Sequence, residues 1–136
     1  MSLAIENLLP HRAPMRWIDA LTECTATTAR ATVCFGAEHF AVADGVVLET
    51  ALVECVAQTI AAAQGQRAKL SGKSGAPSVG MLAAVANFKI HAPPPLDQTL
   101  VITINELKKF GPMILVAGVV SCAGQTIATG ELTVYA

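Results

Sequence analysis

The chain has 136 residues, 53% hydrophobic and 14% charged, with nine Lys and Arg against ten Asp and Glu for a formal net charge of −1. So apolar a composition excludes a disordered or acidic-tail protein, and the lack of any basic surplus to hold phosphates argues against a nucleic-acid partner. The length fits a single domain over 1–136, and the shortage of charge predicts that part of the apolar surface is covered by another subunit.

Residues 1–10 show no basic stretch followed by an apolar run, so a cytoplasmic protein without a secretory signal is expected. Residues 16–24 mix apolar and polar side chains and read as a first strand. Residues 30–35, Arg-Ala-Thr-Val-Cys-Phe, are β-branched and alternating and predict a second. A connection over 36–44 carries His39, and a helix follows over 47–69. Residues 69–78 form a polar loop rich in Gly and Ser. A strand over 79–90 leads to the proline run Pro93-Pro94-Pro95, which cannot donate to a ladder and marks an extended turn over 91–97. Residues 99–107 place Leu100, Ile102 and Ile104 on one side of a strand. Phe110-Gly111-Pro112 breaks the chain, 113–122 is a long apolar strand, 123–125 a tight turn, and 126–135 the last strand. Two strands, one long helix and four strands predict an α+β fold in which an antiparallel sheet covers the helix with its concave face.

The helix is the most informative segment. At 100° per residue Leu48, Leu52, Cys55, Val56, Thr59, Ile60 and Ala63 share a broad face, while Glu54 points the other way among Thr50, Ala51, Ala57, Gln58 and Ala61. Low polarity all round predicts burial all round, and small residues around a carboxylate leave room for a subunit or a ligand tail. Burial there would favour the protonated acid at Glu54. Solvent, or an arginine elsewhere in the chain, is the alternative destination for this side chain. Residues 45–66 are apolar enough to suggest a membrane span, but Glu49, Glu54, Gln58 and Gln64 interrupt them, so no membrane association is expected.

Three histidines are available for chemistry. His39 follows a strand and precedes the helix, a position where loops often carry function. His11 lies in a turn-like element, and His91 beside the prolines reads as a turn or surface residue. Cys24, Cys34, Cys55 and Cys122 lack metal-site spacing and read as free buried thiols, so no metal is expected. A Cys–His pair through Cys34 or Cys55 fits less well than core packing. Met15-Arg16-Trp17 reads as strand packing with one exposed Arg. A G-x-S-x-G elbow and a Gly-rich phosphate loop are both missing.

Four motifs in order resemble the bacterial 3-hydroxyacyl-acyl-carrier-protein dehydratases. Leu8-Leu9-Pro10-His11-Arg12-Ala13-Pro14-Met15 with Ile18-Asp19 is similar to their L-P-H-R signature. His39-Phe40 resembles their H-F motif, and Val53-Glu54 with Ala57-Gln58 resembles V-E-x-x-A-Q. Residues 87–100, from Asn87-Phe88 through the prolines to Leu100, are similar to their later strand and turn. The family's Pro-Gly pairs between His and helix are missing, and the His39 to Glu54 spacing is one residue longer, as in the divergent aryl-polyene dehydratases. The resemblance implies a hotdog fold, a dimer or higher homo-oligomer, and cytoplasmic work in fatty-acid or polyene lipid biosynthesis. The implied reaction removes water from a 3-hydroxyacyl thioester of acyl carrier protein or CoA, giving a trans-2-enoyl thioester. On that reading neutral His39 takes the C2 proton and protonated Glu54 protonates the leaving hydroxyl. Backbone N–H groups at the helix start, near Gly45, polarise the carbonyl, and Gln58 contacts the substrate or packs against the partner. Acid and base side chains need no cofactor. A hotdog acyl thioesterase and a non-catalytic acyl-binding partner subunit are the alternatives.

Overall fold

The computed structural model describes residues 4–72 and 80–135. A single 3-10 turn, Ile5–Asn7, is followed by an irregular segment and then β1 (Ala20–Cys24), β2 (Thr28–Cys34), β3 (Val42–Ala43) and β4 (Val46–Val47). The helix α1 (Thr50–Leu70) comes next, then β5 (Met81–Ile90), β6 (Thr99–Phe110), β7 (Met113–Cys122) and β8 (Gln125–Tyr135). Six strands form one sheet in the order β1-β2-β6-β7-β8-β5, and β3 pairs with β4. Every pairing is antiparallel.

Alternation along the strands makes the core. Ala29, Ala31 and Val33 of β2, Leu100, Ile102 and Ile104 of β6, and Leu132 and Val134 of β8 are buried, as are Leu52, Cys55, Val56, Thr59, Ile60 and Ala63 of α1. The helix lies against β1, β2, β6, β7 and β8. A Cβ at Gly118 of β7 would sit 2.7 Å from Val56 Cγ1, so glycine there lets helix and sheet close. This long helix against an antiparallel sheet is the α+β hotdog arrangement.

The differences from the sequence expectations are local. The first strand begins at Ala20, because the backbone N–H groups of Trp17 and Ile18 go to a helix side chain instead of a ladder. Met15-Arg16-Trp17 is therefore not strand packing. The helix starts at Thr50, since Val47 belongs to β4 and the Leu48 N–H donates to Ala41 O at 2.9 Å. Leu48 precedes the helix and is exposed instead of sharing its buried face. A short β3–β4 hairpin interrupts the expected connection. β6 continues to Phe110, and Cys34 is exposed. Most of the expected 69–78 loop lies outside the described residues. The edge strand β5 is exposed from Met81 to Asn87, with Met81, Leu82 and Val85 as large apolar side chains.

Candidate functional site

Glu54, Ala57, Ala61 and Gln64 recur at helical spacing along α1 and form one wall of a cavity of about 370 Å³. Pro10 and His11 close it from the N-terminal segment, Met81 and Leu82 from β5, and Val134 and Tyr135 from β8. The volume falls toward the lower end for small-molecule sites, and the lining is mostly apolar with a few polar groups converging.

The Glu54 side chain is 35% exposed, so within one chain it is only partly buried. Gln58 Nε2–H donates to Glu54 Oε2 at 2.8 Å, and His11 Nε2 lies 3.5 Å from the same oxygen. Gln58 is fully buried. Its Nε2 also donates to Met15 O at 2.8 Å, and its Oε1 accepts from the N–H groups of Trp17 at 2.8 Å and Ile18 at 3.3 Å. Two donors and two acceptor positions are thus used within the chain. The expectation that Gln58 contacts substrate is corrected on that ground: it ties residues 15–18 to the helix and braces Glu54.

The segment that carries His11 is held by close packing as well. A Cβ on Gly65 would come 2.3 Å from Leu8 O, so only glycine lets this backbone lie on the helix, and Leu8 and Leu9 are buried there. The sequence reading set His11 aside. The signal for it was a glycine inside an otherwise strong helix, which marks a close backbone approach.

His39 sits elsewhere. Its N–H donates to Gly36 O at 3.0 Å, and its Nδ1 accepts the Ala41 N–H at 3.0 Å. The ring stands edge-on to Phe35, with centroids 4.7 Å apart, and to Trp17 at 5.7 Å. Burial pushes its pKa below the ordinary imidazole value, with the Asp19 charge opposing. The ring is therefore neutral at neutral pH, and because Nδ1 accepts, its proton resides on Nε2. Among the described residues His39 neither lines the Glu54 cavity nor pairs with Glu54. Trp17 lies between the two: its ring meets His39 and its N–H meets Gln58.

Gly45 occupies the tip of the β3–β4 turn beside Asp44, with φ of +74° and +53° respectively, which suits a two-residue hairpin turn. It is exposed and separated from the helix start by β4 and the residues after it. The expectation that it presents N–H groups at the helix N-terminus is corrected accordingly. In the first turn the Ala51 N–H donates to Leu48 O and the Leu52 N–H to Glu49 O. Burial, then the charges of Glu54 and Asp19, push the Cys55 thiol well above its ordinary range, so it is no nucleophile. His91 Nε2 lies 3.0 Å from Thr129 Oγ1 at the surface.

A helix bearing a braced carboxylate beside an apolar cavity, wrapped by an antiparallel sheet, defines a hotdog protein. The chain belongs to the ApeP-like family of ApeP dehydratases, whose model matches residues 3–136. It is similar at 24% identity to a chain of the dehydratase heterocomplex ApeI:P from Xenorhabdus doucetiae, with a TM-score of 0.90 over 99% of this chain and 91% of that one. An HP0420 homologue from Helicobacter felis matches with a TM-score of 0.72 at 11% identity, over 98% and 88% of the two chains. The PaaI protein of E. coli, from a phenylacetic acid degradation operon, gives 0.67 at 11%, over 85% and 81%. These structural likenesses carry the fold. No curated protein sequence matches the chain.

Proposed function

We propose that the protein dehydrates a 3-hydroxyacyl thioester, borne by acyl carrier protein or CoA, to the trans-2-enoyl thioester, with Glu54 and His39 as the reacting pair. The observation that carries this reading is the dehydratase-family match over a chain whose helix presents Glu54 into an apolar cavity. The acyl chain runs along Ala57 and Ala61, whose small side chains leave the space. Reverse hydration of enoyl thioesters, followed as loss of conjugated absorbance, tests it directly. Turnover by the wild type and its collapse in Glu54→Gln support the reading. Inactivity across several chain lengths removes it for those substrates, and release of free thiol instead points to a thioesterase.

Glu54 and His39 do not meet within one chain, so the site is completed by a second subunit. The β5 edge fits that role: it is long, exposed and apolar, and Met81 and Leu82 on it already form part of the cavity wall. A second copy seated there makes a homodimer in which His39 of one protomer faces Glu54 of the other. Mixing inactive His39→Ala with inactive Glu54→Gln then regenerates one intact site per hybrid dimer, about a quarter of wild-type activity for random two-fold pairing. A companion hotdog subunit in place of the second copy is favoured by one observation, the heterocomplex in which the similar X. doucetiae chain was solved. A folded chain that gains activity only with a companion subunit supports that version.

A further inference from the structure

The wiring of the two side chains assigns their roles, given the dehydratase reading above, and reverses the assignment expected from sequence. We propose that Glu54 is the proton-abstracting base at C2 and returns that proton to the departing 3-hydroxyl, while His39 stays a neutral donor whose Nε2–H holds the thioester carbonyl.

Two independent observations support this. The first is at His39. Its Nδ1 lone pair already accepts the Ala41 N–H at 3.0 Å, so the neutral ring carries hydrogen on Nε2. An Nε2–H donates and has no lone pair with which to abstract a proton. The ring makes no other hydrogen bond among the described residues, so Nε2 is the atom left for substrate. A neutral imidazole donor suits a carbonyl oxygen that gathers charge as an enolate forms.

The second observation is at Glu54. Gln58 Nε2–H and His11 Nε2 both converge on Oε2, at 2.8 and 3.5 Å. The other His11 nitrogen, Nδ1, is enclosed with no hydrogen-bond partner among the described residues. A proton on Nδ1 would be a buried unsatisfied donor, so the His11 proton belongs on Nε2, aimed at Glu54. The Gln58 donor on Oε2, with the His11 ring beside it, suits an accepting carboxylate and leaves Oε1 to exchange a proton. His11 thereby becomes a positioning residue. The other titratable group lining the Glu54 cavity is Tyr135 of β8, with apolar Met81 and Leu82 from β5; Cys55, on the buried face of α1, is the thiol on which the Glu54 charge acts, and Asp19 is the charge near His39.

The step balances with one carboxyl. The C2–H bond breaks and its proton goes to Glu54. The electron pair passes through the enolate, held by His39 Nε2–H, into the C2=C3 bond. The C3–O bond breaks, and the hydroxide takes the proton back from Glu54 and leaves as water.

Imidazole ¹⁵N spectra of the wild-type protein at neutral pH, together with enoyl-thioester hydration by three variants, test the proposal. The expected results are an Nε2–H tautomer for His39 and a roughly 10³-fold loss of kcat in Glu54→Gln. His39→Gln, which keeps an N–H donor and no base, stays within about tenfold of wild type, while His39→Ala falls about 10²-fold. An Nδ1–H tautomer, or a folded His39→Gln no better than His39→Ala, overturns the role assignment with the dehydratase reading intact. A wild type without hydration activity overturns both. The pH profile of kcat separates the roles again: with Glu54 as base, His39→Gln keeps the wild-type acid limb, and its disappearance identifies His39 as the base.

Discussion

Leu52, Val56 and Ile60 on one side of α1 belong to the apolar core against the sheet, and the polar Thr59 there turns its hydroxyl back to Cys55 O. On the other side Glu54 and Gln58 meet a segment with no regular structure, and hydrogen bonds from Gln58 fix where residues 15–18 lie. The first side is insensitive to direction, because dispersion and apolar burial need only volume and closeness. The second side fixes atoms, because each hydrogen bond has a donor, an acceptor and an angle. One helix thus divides stability from positioning, and Gln58 is the residue where the two meet.

The sharpest break in that division is expected at Glu54. Glu54→Gln removes the base but keeps the shape, so kcat falls about 10³-fold, near 4 kcal/mol of barrier, while the melting temperature stays close to wild type. Leu52→Ala is the mirror case: it empties a fully buried site, costing about 2–5 kcal/mol of stability in chemical denaturation, and per folded molecule leaves kcat nearly unchanged. Gln58→Leu is expected to fall on both axes. It strands the N–H groups of Trp17 and Ile18 and the carbonyl of Met15, at about 1–3 kcal/mol for a buried unsatisfied group, and frees the Glu54 carboxylate. Unchanged kcat in folded Gln58→Leu would show that Glu54 needs no brace.

Gly65→Ala comes next in size. Its methyl group would collide with the backbone of Leu8, which cannot swing aside as a side-chain tip can. Overpacking of this kind costs about 1–3 kcal/mol. The segment bearing His11 then lifts from the helix, so activity should fall with stability although Gly65 lies eleven residues from Glu54 along the chain. Hydrogen exchange at Trp17 and Ile18 reads the effect: faster exchange is expected, and unchanged protection would show that the Gln58 bonds alone hold the segment.

The same division explains what was legible in the sequence. The strands β6, β7 and β8 follow from alternation and from the breaks at Gly111-Pro112 and Gly124, because burial on one face imposes a period of two. The dry face of α1 follows from its period in the same way. The start of β1 was not legible, since it depends on where one amide side chain, Gln58, sends its hydrogen bonds across some forty residues of sequence. The β3–β4 hairpin was passed over although Asp44-Gly45 is a hairpin-turn pair, because its strands are too short to show a period. Glu54 stands out in the sequence by its helix face, His39 by its loop position, and both by motif resemblance. Their hydrogen-bond partners, which decide what each can do with a proton, could not be read there.

The smallest expected effect concerns His39 and pH. Its folded pKa is lowered by burial, with Asp19 working against the shift, whereas the unfolded chain titrates near 6.5. Between the two values the unfolded state holds more protons than the folded state, so stability rises with pH. The contribution is fully present above about pH 6.5 and is lost as pH falls through the folded value. His39→Phe keeps a ring for Phe35 and Trp17 to pack on and cannot titrate. Melting temperatures at pH 7.5 and pH 5 should therefore fall together less in His39→Phe than in wild type, by a small margin because the ring is only partly enclosed. Asp19→Asn removes the opposing charge and should widen the wild-type difference. If it narrows that difference instead, Asp19 holds the loop through its bond to the Cys34 N–H more than it acts on the imidazole by charge.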